Sequence, residues 1–304
     1  MPAIATATAS AADSAFQATS ATAQFASRTL TDLIFGRTGR FVMRRLQLAA
    51  ELATLMMLVL KSVWLERGKA RILIASTINK QIRFTGVDAL PLISLLGAVM
   101  GLLSGLVIAA LANASVTQSL APRLQMIFLE LLLTTAAPMI ITLIVIARSG
   151  TAVSTELGTM RIRRELEVFD AIGANVYYVV VWPRIVGMIV ALVCLTIYFN
   201  FMVVVVQFVL VGFVANVESV RAGAQLSGTV SIANLAQAVL KTGIIGLGIA
   251  VIACHFGLSA RQSFTEIPQV ATRGVVNGII FSVLANLVVF WLFYLVFGFR
   301  FLQM

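Results

Sequence analysis

Long apolar runs dominate the pattern of hydrophobic and polar positions along this chain. Five of them are long enough to cross a bilayer as a helix, which takes about 20 residues at a rise of about 1.5 Å per residue. They occupy residues 89–112, 124–147, 185–215, 234–256 and 275–299. The segments of about 10 residues with alternating polarity that build a membrane β-barrel are absent. The pattern therefore predicts an all-α integral membrane protein with five transmembrane helices.

The region before the first run is patterned differently. Residues 1–27 are rich in Ala, Ser and Thr and contain no basic residue, which predicts a disordered tail. Residues 41–60 are apolar but carry Arg44, Arg45 and Glu51. Such frequent charges favour a helix lying in the cytoplasmic interface, and a sixth span is the alternative. We therefore expect interfacial (elbow) helices on the cytoplasmic side over residues 28–88 and a five-span domain over 89–300.

The position of the basic residues indicates how the chain is oriented. The net charge is +10, and eighteen of the 22 Lys and Arg residues lie before the first run, between the second and third, or between the fourth and fifth. Basic residues concentrate in cytoplasmic loops, so the N-terminus is predicted to be cytoplasmic and the C-terminus periplasmic. A composition that is 60% hydrophobic and 11% charged, with a mean hydropathy of +1.01, suits a multi-pass membrane protein and no nucleic-acid partner.

Three glycines in the first predicted span, Gly97, Gly101 and Gly105, are spaced four residues apart. Residues at this spacing share one face of a helix, and glycine there lets another helix backbone approach closely. Two interpretations remain open at this point. The face packs against another helix of the same chain, or it contributes to an interface with a second copy.

Two ionisable residues lie inside the apolar runs at matching depth. Glu130 is the seventh residue of the second run and Lys241 the eighth of the fourth, counted from the same predicted side. A charge buried in a bilayer costs about 3 kcal/mol even on the lenient scale, so an opposite charge at the same level is expected beside it. The pair either holds helices together or lines a lipid cavity in which Lys241 meets a phosphate as a point charge.

A charged stretch, residues 155–175, stands between the second and third runs. Read as one helix over about 155–172, it places four apolar residues on a single stripe: Ile162, Leu166, Phe169 and Ile172. The polar side would carry i,i+4 ion pairs, Arg161 with Glu165 and Arg163 with Glu167. Gly173 and Asn175 are suitable terminators. Such a helix either connects two spans or docks into a groove of a soluble partner.

Four short motifs follow one another along the chain: E-L-G-T-M (156–160), A-I-G-A-N (171–175), V-V-W-P-R (180–184) and A-T-R-G-V-V-N (271–277). Their sequences and their order resemble the MlaE/YrbE family of permease subunits of lipid-transporting ABC systems. In this family the E-L-G-T-M helix is the cytoplasmic coupling helix that docks on a separate ATPase subunit. The resemblance thus implies a coupling role for Glu156, Leu157, Gly158, Met160, Ile162, Leu166 and Phe169.

The chain departs from the family pattern at three places. It has Arg164, Glu165 and Glu167 where the family usually has an acidic residue, Gln and Asp, and Val176 where the family usually has Pro. It also reads T-E-I-P-Q-V over 265–270 in place of a glycine-rich segment. These departures predict a partner surface specialised for a divergent ATPase.

The sequence contains no motor of its own. No G-x-x-x-x-G-K-[ST] phosphate-binding loop occurs, and neither a metalloprotease nor a serine-hydrolase motif is present, so no enzyme activity, catalytic residue or metal site is expected. ATP and Mg²⁺ would bind on the partner ATPase. The resemblance further implies phospholipid as substrate, an MCE-domain lipid carrier in the periplasm, a second copy of the chain, and location in the bacterial inner membrane, and it leaves open a small STAS-type cytoplasmic subunit. The competing hypotheses are an ion-coupled secondary transporter using Glu130 and a membrane scaffold without transport.

Overall fold

The computed structural model describes residues 43, 45, 47–66, 71–113, 127–214, 232–260 and 263–301. The chain forms two compact units, Met1–Thr54 and Leu55–Met304. The described residues of the first unit are helical throughout, and the predicted tail over 1–27 lies outside the described residues. The second unit consists of helices, with no strand among its described residues.

Eight helices position the features discussed below. They are α1 (Gln47–Leu65), α2 (Arg71–Thr85), α3 (Leu90–Asn113), α4 (Ile127–Ile162), α5 (Glu165–Ala171), α6 (Trp182–Val214), α7 (Ile232–Leu258) and α8 (Glu266–Phe301). Each of the five predicted spans lies on one of them, namely α3, α4, α6, α7 and α8, which confirms the all-α membrane fold. Helix α1 is also long and apolar enough to cross a membrane, so its length and composition are compatible with both interpretations of residues 41–60.

Helix α6 lies at the centre of the second unit, where it packs against α2, α3 and α7. The glycine face of α3 is the surface that meets it. A Cβ atom added at Gly101 would lie 2.8 Å from the Val203 carbonyl oxygen and 2.9 Å from the Val206 Cβ. Gly97 faces Met202 and Gly105 faces Leu210 in the same way. The glycine face is therefore used within the chain, and it is not available to a second copy.

Helix α4 is the most irregular of the long helices. Two π-helical segments, Leu132–Ala136 and Ile146–Gly150, interrupt it, and the ordinary α-helix between them starts at Ala137 with Pro138 in its first turn. Proline has no backbone N–H and clashes with the preceding turn, so a regular hydrogen-bond ladder cannot continue through it. The hydrogen-bond ladder of α4 therefore changes its register at Pro138. A third π-helical segment, Tyr177–Val181, precedes Pro183 at the start of α6.

Candidate coupling and substrate sites

The E-L-G-T-M motif does not lie on a separate helix, as the sequence predicted, but forms the end of α4. That helix continues from the membrane-spanning part through Ile162. The charged stretch is divided there, because Arg164 adopts a left-handed backbone conformation with φ of 59° before α5 begins. The predicted single helix over 155–172 is therefore wrong, and only Glu165–Ala171 forms a short helix of its own.

Charges at the break explain where the two helices end and begin. Arg161 stands in the last turn of α4, while Glu165 and Glu167 stand in the first turn of α5. Each sign matches the partial charge at that helix end. The break also changes the ion pairs: Arg163 Nη1 lies 3.8 Å from Glu165 Oε1, and neither predicted i,i+4 pair is present among the described residues.

Three of the four family motifs, E-L-G-T-M, V-V-W-P-R and A-T-R-G-V-V-N, meet at the end of α4. We call this place the motif junction; it is made of Ser154, Glu156, Leu157, Gly158, Arg184, Gly257 and Gly274. Leu157 and Gly158 are buried against α7, where a Cβ atom at Gly257 would lie 2.8 Å from the Leu157 Cβ. Ser154 Oγ donates to the Ala253 carbonyl at 2.9 Å, and Gly274 of α8 packs on Ser154. The motif residues Leu157 and Gly158 thus hold helices together, and their side of α4 is not an open docking surface.

Arg184 joins the two chain segments on either side of α5. Its guanidinium is nearly buried and lies 2.8 Å from Glu156 Oε1 on α4. Nη2 also contacts Met160 Sδ at 3.6 Å, and Nη1 donates to the Val180 carbonyl in the third π-helical segment at 3.2 Å. The pair of motif residues Glu156 and Met160 is therefore fixed to the start of α6.

The surface that α5 leaves open carries apolar side chains beside Glu165 and Glu167. Val168 is 63% exposed and Ile172, directly after the helix, is 72% exposed. Leu166 is buried, and Ile162 and Phe169 are half-buried, so the predicted stripe is split between an inner and an outer part. After it, Gly173 has a φ of 74°, which favours glycine, and the Tyr177 N–H donates to Asn175 Oδ1 at 3.0 Å. The predicted terminator Gly173 is confirmed, whereas Asn175 caps the start of the helical segment that follows.

Beside this turn, a cleft separates it from the end of α1. Its lining residues are Leu58, Lys61, Ser62, Leu65, Gly173, Ala174, Asn175 and Tyr177. Val168 and Ile172 precede the turn that forms one wall of this cleft. We treat this region as the candidate coupling site.

Lys241 and Glu130 do not form the predicted ion pair. No contact within 4.0 Å joins their charged atoms in the described residues. The Lys241 side chain instead reaches the π-helical segment one turn further along α4, where Nζ donates to the Thr134 carbonyl at 3.3 Å and to Thr135 Oγ1 at 3.5 Å. Lys241 is 1% exposed, whereas Glu130 is half-buried.

Two further amides converge on the same segment. Asn200 Nδ2 of α6 donates to the Leu133 carbonyl at 3.4 Å, and Asn286 Nδ2 of α8 donates to the Thr135 carbonyl at 3.3 Å. The Phe290 ring lies 6.0 Å from Lys241 Nζ. We call this set, Asn200, Lys241 and Asn286 around Leu132–Ala136, the carbonyl cluster.

The sequence predictions missed Arg184, Asn200 and Asn286 as site residues. A signal existed for each of them. Arg184 is the last charge before a long uncharged run, and the two asparagines are strongly polar residues inside predicted spans. Polar residues inside a membrane are expensive to bury and mark sites that need a partner.

Comparison with known proteins bears on both sites. A sequence model of the family described as "Permease MlaE" matches residues 78–292. The chain is also similar to proteins called "probable ABC transporter permease protein" from Rickettsia bellii, Rickettsia conorii and Rickettsia felis. Each is 23% identical over 228 residues, which covers 72% of this chain and 83% of the relative. The matched residues include the motif junction, α5 and the carbonyl cluster.

Proposed function

Because the chain belongs to the MlaE permease family and is an ABC transporter permease, we propose that it moves phospholipid between the inner membrane and a periplasmic MCE-type lipid carrier. A permease of this class works with an ATPase on another polypeptide. ATP and Mg²⁺ would bind there and not on this chain. Two copies of the chain, and a small STAS-type subunit where one exists, would complete the assembly.

The exposed apolar surface on α5 is the observation that carries this proposal. Val168 on the short helix α5 and Ile172 directly after it are exposed between two spans, a position at which a soluble protein can bind them. At the neighbouring motif junction Leu157 and Gly158 are buried, and the ion pair of Arg184 with Glu156 joins α6 to α4. A force applied to α5 would therefore reach both α4 and α6, which is what a permease needs from its contact with a motor.

The substrate side of the proposal rests on family membership and on polarity in the spans. Glu130 is half-buried near the predicted outer end of α4, so it can face a lipid headgroup region. Lys241 is enclosed in this conformation, and it would meet a phosphate only if the surrounding spans separated. We propose that Glu130 lies on the substrate path, whereas the predicted role of Lys241 in binding a phosphate would require that separation.

Copurification and transfer assays test the proposed function. The chain is purified in mild detergent, its partners are identified, and the complex is reconstituted in proteoliposomes with labelled phospholipid. We expect an ATPase and an MCE-domain protein to copurify, and transfer to stop when the ATPase's phosphate-binding lysine is replaced. Transfer that survives this replacement but collapses with the proton gradient would instead identify an ion-coupled transporter. Absence of lipid transfer by the intact assembly would favour a membrane scaffold without transport.

A further inference from the structure

Pro138 leaves carbonyl groups of the second span without backbone donors. In the preceding π-helical segment the Ala137 N–H bonds to the Leu132 carbonyl, five residues back. The next residue is Pro138, which can serve neither the Leu133 carbonyl five residues back nor the Thr134 carbonyl four residues back. Within a bilayer no water is present to replace a missing donor, so such carbonyls need partners from the protein.

Three side chains from three different helices donate to backbone carbonyls of this segment. Asn200 of α6 serves the Leu133 carbonyl, Lys241 of α7 serves the Thr134 carbonyl, and Asn286 of α8 serves the Thr135 carbonyl. All three side chains are buried. Two of the three acceptors, the Leu133 and Thr134 carbonyls, are the ones that Pro138 deprives of a donor, so Asn200 and Lys241 replace the donors that the proline removes.

The surroundings of Lys241 fit a donor to carbonyls better than a receptor for an anion. Its amine contacts a carbonyl oxygen, a hydroxyl and the face of the Phe290 ring, all of which interact favourably with a cation. Among the described residues, no carboxylate oxygen lies within 4.0 Å of it. The ammonium is thus stabilised by dipoles of the protein itself.

We propose that Lys241 is a positioning residue, whose ammonium supplies the hydrogen bond that Pro138 removes from α4 and thereby fixes the irregular part of that span against α6, α7 and α8. The inference rests on the proposed function for its consequence in transport. A π-helical segment next to a proline is a place where a helix can change its course. Any rearrangement of α4 there must break bonds to three helices, so the cluster stabilises one conformational state of the permease.

A double-mutant cycle between Lys241 and Pro138 tests this inference. Lys241→Met removes the donor but keeps a long apolar side chain, and Pro138→Ala restores a backbone N–H that can serve the Thr134 carbonyl. Thr242→Val is the matched control, because Thr242 is buried on the same helix but lies outside the cluster. Its Oγ1 accepts from Thr196 Oγ1 and donates to the Ala238 carbonyl of α7. Thermal stability of each purified variant and photo-crosslinking to a labelled phospholipid are measured.

We expect Lys241→Met to lower the Tm by several degrees, more than Thr242→Val does, and Pro138→Ala to restore most of that loss in the double variant. Crosslinking of lipid per folded molecule should persist in Lys241→Met. A double variant as unstable as Lys241→Met would overturn the inference, as would a stable Lys241→Met that no longer crosslinks lipid. If Lys241→Met does not accumulate in membranes, accumulation of the double variant becomes the readout. The Tm comparison requires no transport, so its failure is distinct from failure of the proposed function.

Discussion

Arg184 joins the two flanks of α5. A planar guanidinium presents several donors in a fixed fork, which suits it to bind Glu156, Met160 and the Val180 carbonyl at once. Glu156 is more than half exposed at its side chain, so the pair is not sealed from solvent. The Arg184–Glu156 pair therefore contributes more to the fixed arrangement of α4 and α6 than to the free energy of unfolding.

We therefore expect Arg184→Ala to reduce the amount of lipid transferred per ATP hydrolysed more strongly than it reduces the stability of the fold. Loss of its bonds should lower the free energy of unfolding by about 1–2 kcal/mol, since Glu156 can be solvated once it is released. Phospholipid transferred per ATP hydrolysed should fall roughly tenfold, which corresponds to about 1.4 kcal/mol of lost coupling. Transfer per ATP and ATPase copurification are measured together in the reconstituted complex.

Two companion variants make the result interpretable. Arg184→Lys keeps the charge but cannot hold all three partners, so it should show the same defect. Glu156→Gln keeps an acceptor for the guanidinium and should be close to the unmodified chain. An Arg184→Ala complex that assembles normally and transfers the same amount of lipid per ATP would show that this residue only supports folding.

Helix α5 is the element on which docking is predicted. Its inner residue Leu166 is buried, whereas Val168 and Ile172 face outward. A carboxylate placed at an outward position is solvated in the free permease but becomes buried and unpaired at a docked surface. Docking can therefore be weakened there without disturbing the membrane domain.

We expect Ile172→Asp and Val168→Asp to abolish ATPase copurification while leaving the Tm of the purified permease unchanged within about 1 °C, since exposed substitutions change stability little. Phe169→Asp should weaken docking and stability together because Phe169 is half-buried. The control is Phe264→Asp, an exposed apolar residue in the turn before α8. ATPase copurification with the Ile172→Asp and Val168→Asp variants would argue against docking at this surface. Equal loss of ATPase copurification in Phe264→Asp would show that the effect is not specific to this surface.

The spans of this protein could be predicted from the sequence, whereas the break at Arg164 and the partners of Lys241 could not. The spans follow from the length of apolar runs, because backbone groups in a bilayer must bond within a helix. The break at Arg164 was missed because the apolar period of 162, 166, 169 and 172 continues across it, while the change in sign from Arg161 to Glu165 was the available signal. Lys241 was correctly singled out by its depth, but its partners are backbone carbonyls exposed by a π-helical segment, and no side-chain pattern encodes these.

At the scale of the whole molecule, the glycine face no longer argues for a second copy, since α3 uses it to pack against α6. The case for a dimer rests on size: one five-span bundle is small for enclosing a lipid with two acyl chains. Exposed apolar faces remain on α3, at Leu95 and Leu102, and on α8, at Leu284 and Val288. These two faces are the ones we propose for contact with a second copy.

We predict that disulfide crosslinking of single cysteines in native membranes yields a dimer from the exposed face of α3 or of α8. The background must carry Cys194→Ala and Cys254→Ala, because Cys194 is exposed and would crosslink by itself. Val203→Cys is the internal control, since Val203 is fully buried where α6 meets Gly101. Dimers from Val203→Cys would mean that the α3–α6 contact opens in the membrane. Monomer bands from every position on both faces would exclude a homodimer built through α3 or α8.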